Sequence, residues 1–307
     1  MSERDPLARL EAKALSRLAA HRDRPYYDAE ADTVDRDAYY AGVDLGGPPD
    51  SLQVALHRLL AETHVRPQDY RPSVELYPWV DLQPDGHLRH IYSGLRLDPE
   101  EAIRIDTRIA RQRAARVSAA IQARPTMDTR DLHELARAVT QELHFNCEHV
   151  VPQSWFDEHE PMRGDLHHLF TCQPKCNSLR GHKPFAELAD SQQLMTDCGR
   201  ILGEGESATF EPLTGKGAVA RATLYFLLRY PGRIEDAMRE PVLAAVPTLL
   251  AWHVLEPVGE YELHRNAAIA QAQGNRNPLI DFPDLAERPG IVAIFGVLPE
   301  VPPRVPE

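Results

Sequence analysis

Apolar residues recur at helical spacing along much of the chain. Leu52, Leu56, Leu59 and Leu60 share one face of a helix. Leu132, Leu135, Ala136, Val139 and Leu143 form a second stripe, with Asp128 ahead of it as a side-chain cap. Pro99-Glu-Glu101 reads as a helix start, with proline first and acids at the positive dipole end. That helix should run to about Ala123 and stop before Pro125. Gly217 to Arg229 and Ile234 to Leu255 read as apolar helices, the second bent or broken by Pro241 and Pro247. A last helix, Glu260 to Gln273, closes at Gly274.

Alternation replaces this period in 145–172, which predicts two short strands joined by a loop around 153–164. A helix or turn carrying Asn177 follows. The first 35 residues are charged and alanine-rich and read as a loose helix. Tyr70 to Tyr92, rich in aromatics and proline, reads as loop and short strand, and the proline-rich end from Pro283 as irregular. The expected organisation is an N-terminal extension (1–35), one domain (36–285) with its core at about 145–190, and a proline-rich tail (286–307). No repeat is visible, and no linker is polar enough to mark a boundary.

A chain of 307 residues can bury a sizeable core. With 43% hydrophobic and 26% charged residues its composition is that of a globular protein, and no apolar run is long enough to span a bilayer. The start, Met1-Ser-Glu-Arg-Asp-Pro-Leu-Ala-Arg-Leu10, lacks a secretory apolar stretch, so a cytoplasmic location is expected, with non-classical export left open. The net charge of −12 argues mildly against tight non-specific DNA binding, although the local field at a groove decides that question. Arg163, Lys175, Arg180, His182 and Lys183 gather near one motif. Arg104, Arg108, Arg111, Arg113 and Arg116 form another basic stretch, read as a solvated helix face.

That motif carries the chemistry. Phe145-Asn-Cys-Glu-His-Val-Val-Pro152 is followed by Asp165-Leu-His-His-Leu169 and Asn177-Ser-Leu-Arg-Gly181. A carboxylate beside a histidine, with an Asn downstream, are the parts of a one-metal phosphodiesterase. His149 is the candidate general base, because an ordinary imidazole is largely neutral at pH 7. Alone it would read as a buried structural histidine; Glu148 and Asn177 change that. Those two are the candidate metal ligands, oxygen donors of the kind Mg2+ takes beside water and phosphate. Neighbours on a regular strand point to opposite faces, so Glu148 and His149 need a strand end or bulge to meet. Asn177 also reads as a helix cap. Arg180 reads equally as a phosphate clamp or a surface ion pair, with Arg163 a weaker clamp. Asp165, His167 and His168 are assigned support, orienting His149 or bracing the hairpin.

All the cysteines, Cys147, Cys172, Cys176 and Cys198, lie in or just after this region. The Cys172-Gln-Pro-Lys-Cys176 spacing suits a structural Zn2+, while two disulfides or free thiols are the alternatives. The cytoplasmic expectation weighs against disulfides.

These motifs resemble the bacterial endonuclease I family of His-Me finger (ββα-metal) nucleases. So do Tyr39-Tyr40, the Leu52–His64 helix, Ile91-Tyr-Ser93, Phe210-Glu-Pro212, Lys216-Gly217 with Ala220-Arg221, and Gly274-Asn-Arg-Asn-Pro278 through Asp281, covering roughly 35–285. The resemblance implies an α+β, mainly α fold, a helical bundle around a small ββα-metal core. It implies endonucleolytic cleavage of DNA, often also RNA, with little sequence preference and 5′-phosphate products. By position His149 matches the family's base, Glu148 and Asn177 its Mg2+ ligands (with Mn2+ or Ca2+ as substitutes), and Arg180 a recurrent arginine of open role. The chain departs from the pattern at Cys147, often Arg or Trp, and at His168, usually Asn; known members are secreted and disulfide-bonded. The alternatives are a zinc-stapled nucleic-acid-binding protein with a decayed site and a structure-specific repair nuclease. No membrane partner is expected, and the sequence is silent on a protein inhibitor.

Overall fold

In the computed structural model, residues 5–124, 126–143, 145–189 and 194–296 are described. The chain forms α1 (Pro6–Arg22), α2 (Ala29–Tyr39), α3 (Pro49–Thr63), α4 (Pro72–Glu75), β1 (Leu88–Arg89), β2 (Arg96–Leu97), α5 (Pro99–Ala123) and α6 (Thr129–Glu142). It continues through β3 (Cys147–His149), β4 (Leu169–Thr171), α7 (Pro174–Arg180), β5 (Leu194–Met195), β6 (Gly199–Leu202), β7 (Thr209–Pro212), α8 (Lys216–Arg229), α9 (Asp236–Leu255), α10 (Glu260–Gln273) and α11 (Pro278–Asp281). The fold is α+β and mainly α. The sheets are two antiparallel pairs, β1–β2 and β3–β4, and an antiparallel triplet, β5–β6–β7. Among the described residues, no single helix is long and apolar enough to cross a membrane.

Helix starts follow local chemistry. Asp98 and Asp128 accept from the amides of Glu101 and Asp131, and open α5 and α6. Gly274 ends α10 with φ 107°, and a Cβ there would lie 2.2 Å from the Thr63 carbonyl oxygen. The helix α9 departs from expectation: it continues through Pro241 and Pro247. Its buried face of Val242, Val246, Leu249 and Trp252 packs in the main core, which holds it together without two amide donors.

Two hydrophobic clusters flank the β3–β4 hairpin. The larger gathers α3, α8, α9 and the turns around Leu285 and Ile294, with Phe170 and Cys172 of the hairpin region. The smaller gathers Ala14 and Leu18 of α1, the 74–82 segment, Ala102 and Ile103 of α5, Ala268 and Ile269 of α10, and Cys147 and Leu169. The N-terminal segment is therefore not loose: α1 inserts into a core, and Arg17 donates to the Val74 carbonyl and Glu75. Of the expected tail, Ile291, Ile294 and Phe295 are buried in a 3-10 turn, and 297–307 lie outside the described residues.

Buried arginines tie distant segments to the hairpin. Arg265 on α10 donates to Asp81 and to the Leu166 and Leu169 carbonyls, and its Cζ lies 4.0 Å from the Phe170 ring centroid. Asp81 also accepts from the Thr171 amide (2.7 Å) and the Tyr261 hydroxyl (2.6 Å). Arg276 bridges Asp32 of α2 and Asp281 of α11.

Candidate active site

The hairpin pairs Cys147 with Thr171, Glu148 with Phe170 and His149 with Leu169. His149 is the last residue of β3, and this strand end lets it share a cleft with Glu148. The cleft holds about 470 Å³, and its walls include Tyr70, Arg113, Phe145, Glu148, His149 and Asn177.

His149 Nε2 lies 2.9 Å from the Arg163 carbonyl oxygen. A carbonyl only accepts, so Nε2 carries the hydrogen and Nδ1 keeps the ring's lone pair. The ring is held by Tyr70 (centroids 4.4 Å apart) and by the edge of His168 (5.4 Å). Burial, then the charges expected of His168, Arg163 and Arg180, push its pKa well below the ordinary imidazole value, so the ring is neutral near pH 7.

Glu148 is 1% exposed. Its Oε1 accepts from the Tyr92 hydroxyl (2.8 Å) and lies 3.5 Å from Arg180 Nη1. Burial pushes its pKa up to about 7, against the pull of Arg180 and Tyr92. Such a desolvated carboxylate is stabilised in its charged form by a cation. Asn177 lies inside α7, whose N-cap is Gln173, so it is not the cap. Its Nδ2 donates to the Cys147 carbonyl (2.8 Å), leaving Oδ1 as the amide's accepting end. Among the described residues no three His, Cys, Asp or Glu side chains converge as a metal cage. Beside His149 the cleft thus offers the Glu148 carboxylate and the Asn177 amide oxygen, a set that fits a hard divalent cation retaining several waters and not a softer, fully caged one.

Arg180 is not a phosphate clamp. It is fully buried, donating to the carbonyls of Val150 (2.6 Å), Gly181 (3.2 Å) and His149 (3.4 Å), with Phe185 and Trp155 against its guanidinium. It braces the end of β3 from behind and supplies Glu148's internal counter-charge. Arg163 serves His149 through its carbonyl, while its side chain donates to Gln153 Oε1 (2.9 Å).

Asp165 accepts from the hydroxyls of Tyr225 and Tyr230 (2.8 Å each), Gln273 Nε2 (2.8 Å) and the His167 amide (3.1 Å), tying the hairpin loop to α8 and α10. His167 contacts the Asn275 carbonyl (3.2 Å), outside the cleft. His168 Nε2 contacts the Met162 carbonyl (2.7 Å), and its ring packs against His149.

The cysteines do not form a zinc site. Cys176 and Cys198 are joined in a disulfide with Cα atoms 5.3 Å apart, tying α7 to the start of β6. Cys147 and Cys172 are buried free thiols directed into different clusters, Cys147 into the smaller and Cys172 into the larger. Strand alternation separates them across the hairpin, which a four-thiolate site cannot bridge.

Sequence reasoning missed Tyr92 as Glu148's donor and Arg113 as a cleft residue. For Arg113 the α5 arginines look alike in sequence, and no local signal sets one of them apart.

Residues 52–284 match the model of the family described as Endonuclease I. An extracellular deoxyribonuclease of Aeromonas hydrophila is 29% identical over 154 residues, 44% of this chain and 64% of that protein. A periplasmic deoxyribonuclease of the same organism is 28% identical over 154 residues, 44% of this chain and 62% of that protein. An extracellular ribonuclease of Bacillus subtilis (strain 168) is 31% identical over 160 residues, 47% of this chain and 53% of that protein. The matched stretch thus spans less than two-thirds of each relative. Their names overturn the expected cytoplasmic location, as each acts outside the cytoplasm, where a disulfide such as Cys176–Cys198 persists.

Proposed function

The chain belongs to the endonuclease I family, and we propose that it is a metal-dependent endonuclease that hydrolyses DNA, and RNA as well, with little sequence preference, outside the cytoplasm. One observation carries this reading. The Arg163 carbonyl holds His149 as the Nε2–H tautomer, with the Nδ1 lone pair free of that bond, in the cleft shared by the Glu148 and Asn177 oxygens.

Water attacks the phosphorus and gives its proton to His149 Nδ1. The bond from phosphorus to the 3′-oxygen breaks, leaving a 5′-phosphate. Glu148 and Asn177 are the residues that would hold a divalent cation, Mg2+ by preference, with Mn2+ or Ca2+ as substitutes. When bound, it offsets charge on the phosphate and on the leaving oxygen. Tyr92 and Arg180 hold Glu148 in place, and Tyr70 and His168 fix the plane of the imidazole. Deoxyribonucleases and a ribonuclease among the relatives support nucleic acid as the substrate class.

The test is supercoiled plasmid incubated with Mg2+ or EDTA. Nicking should require the metal, and His149→Ala should lower the rate by about 10²–10⁴-fold while the fold persists. Wild-type turnover by His149→Ala would refute the assignment.

A further inference from the structure

Three arginines of α5 are paired with surface carboxylates: Arg104 with Glu100, Arg111 with Asp5 and Glu11, and Arg116 with Glu142. Arg113 is built in differently. Its Nε (2.8 Å) and Nη2 both donate to the Leu143 carbonyl, and its Cζ lies 3.9 Å from the Phe145 ring centroid. Among the described residues no carboxylate lies within ion-pair distance of it. It is half-buried, and it lines the cleft that holds Glu148, His149 and Asn177.

A carbonyl on one edge and a ring on one face fix the guanidinium before any ligand arrives, so little side-chain entropy is lost when it binds. Two bonds to one oxygen leave Nη1 with both its hydrogens, a donor group matched to phosphate oxygens. The aromatic wall continues from Phe145 to Tyr70 (centroids 6.0 Å apart) and from Tyr70 to His149 (4.4 Å). The guanidinium is thus set back from the imidazole by two rings.

We propose that Arg113 binds a backbone phosphate flanking the scissile one and so aligns the nucleic-acid strand along the Phe145–Tyr70 wall toward His149. The inference rests on the nuclease reading. It supplies the phosphate contact that buried Arg180 cannot make, from a helix that begins far upstream of the motif.

The test measures binding of a labelled DNA duplex across a salt series, in a His149→Ala background so that the ligand stays intact. Arg113→Gln should weaken binding about tenfold and lower the slope of log K against log salt by about 0.9. Arg113→Lys should weaken binding but keep the slope, because its charge remains. Arg116→Gln, a surface control, should change neither. With His149 intact, Arg113→Gln should raise KM far more than it lowers kcat. An unchanged slope in Arg113→Gln overturns the proposal even if affinity falls, since loosened structure alone would give that. If melting shows Arg113→Gln unfolded, the lysine variant decides: affinity equal to the parent overturns the proposal. Full cleavage by His149→Ala would break the nuclease mechanism instead, and the salt slope would still report on Arg113 through nicked or intact duplex alike.

Discussion

Asp106 offers a sharp test of the electrostatics beneath the site. It is 2% exposed on α5 and accepts from the Asn146 amide (3.0 Å), Asn146 Nδ2 (2.9 Å) and the Tyr77 hydroxyl (2.7 Å). Burial outweighs these donors and pushes its pKa from 3.8 up to about 6. A raised carboxyl pKa means the folded state holds the proton more tightly than the unfolded one. Asp106's contribution is therefore fully present below about pH 4 and is lost as pH rises through about 6. A shift of roughly two units corresponds to about 3 kcal/mol. Asp106→Asn removes the titration and keeps the shape. Its oxygen still accepts from Asn146, and its amide can donate to the Tyr77 oxygen. Urea unfolding of both proteins should be followed by tryptophan fluorescence from pH 4 to 7.5. Subtracting one profile from the other cancels every group they share. The variant should gain about 3 kcal/mol on the wild type across that window. A flat difference between pH 4 and 6.5 would refute the reasoning and make Asp106 an ordinary ionised carboxylate.

Two other perturbations probe the frame of the site. Cys176→Ala with Cys198→Ala opens a loop whose ends are 22 residues apart, which should cost about 3 kcal/mol in urea unfolding. Because Asn177 adjoins Cys176, the double variant should also need more Mg2+ for half-maximal nicking; unchanged stability would show that the tie contributes nothing. Gly164→Ala would place a Cβ 1.7 Å from the Gln68 carbonyl oxygen, a backbone atom that cannot swing aside. The resulting shift should cost about 2–3 kcal/mol and displace the neighbouring Arg163 carbonyl, so nicking should fall even where the protein remains folded; a wild-type melting temperature would contradict this.

Features set by nearby residues were legible in the sequence. Pro99-Glu-Glu101, Asp128 and Gly274 mark helix ends through their own side chains and backbone, and the hairpin follows from alternation around Cys147–His149 and Leu169–Thr171. The triplet β5–β6–β7 was not legible, because its strands hold only two to four residues and Leu194 and Met195 lie exposed, too short and too open for a period to show. The stripe on α6 is real but covered only in part: Val139 is buried, Leu132 and Leu135 are half-buried and Ala136 is exposed. The burial of Arg180 and the cleft position of Arg113 depend on which side of the hairpin each helix docks, and no local pattern encodes that. Arg265 and Asp81 are 184 residues apart and carry no shared periodicity.

That last pair bears on how this chemistry can be inherited and engineered. Beyond its ladder with β3, strand β4 draws hydrogen-bond partners from Asp81 and Arg265, and the loop before it draws on Arg265, Tyr225, Tyr230 and Gln273. A peptide of 145–190 would carry Glu148, His149 and Asn177 with the Arg163 carbonyl and Arg180, but would lose Tyr92, Asp81, Arg265, Tyr225, Tyr230 and Gln273. The smallest transplantable cassette therefore includes the 81–92 segment, α8 and α10 as well as the finger, because those segments carry the partners that the finger cannot supply for itself.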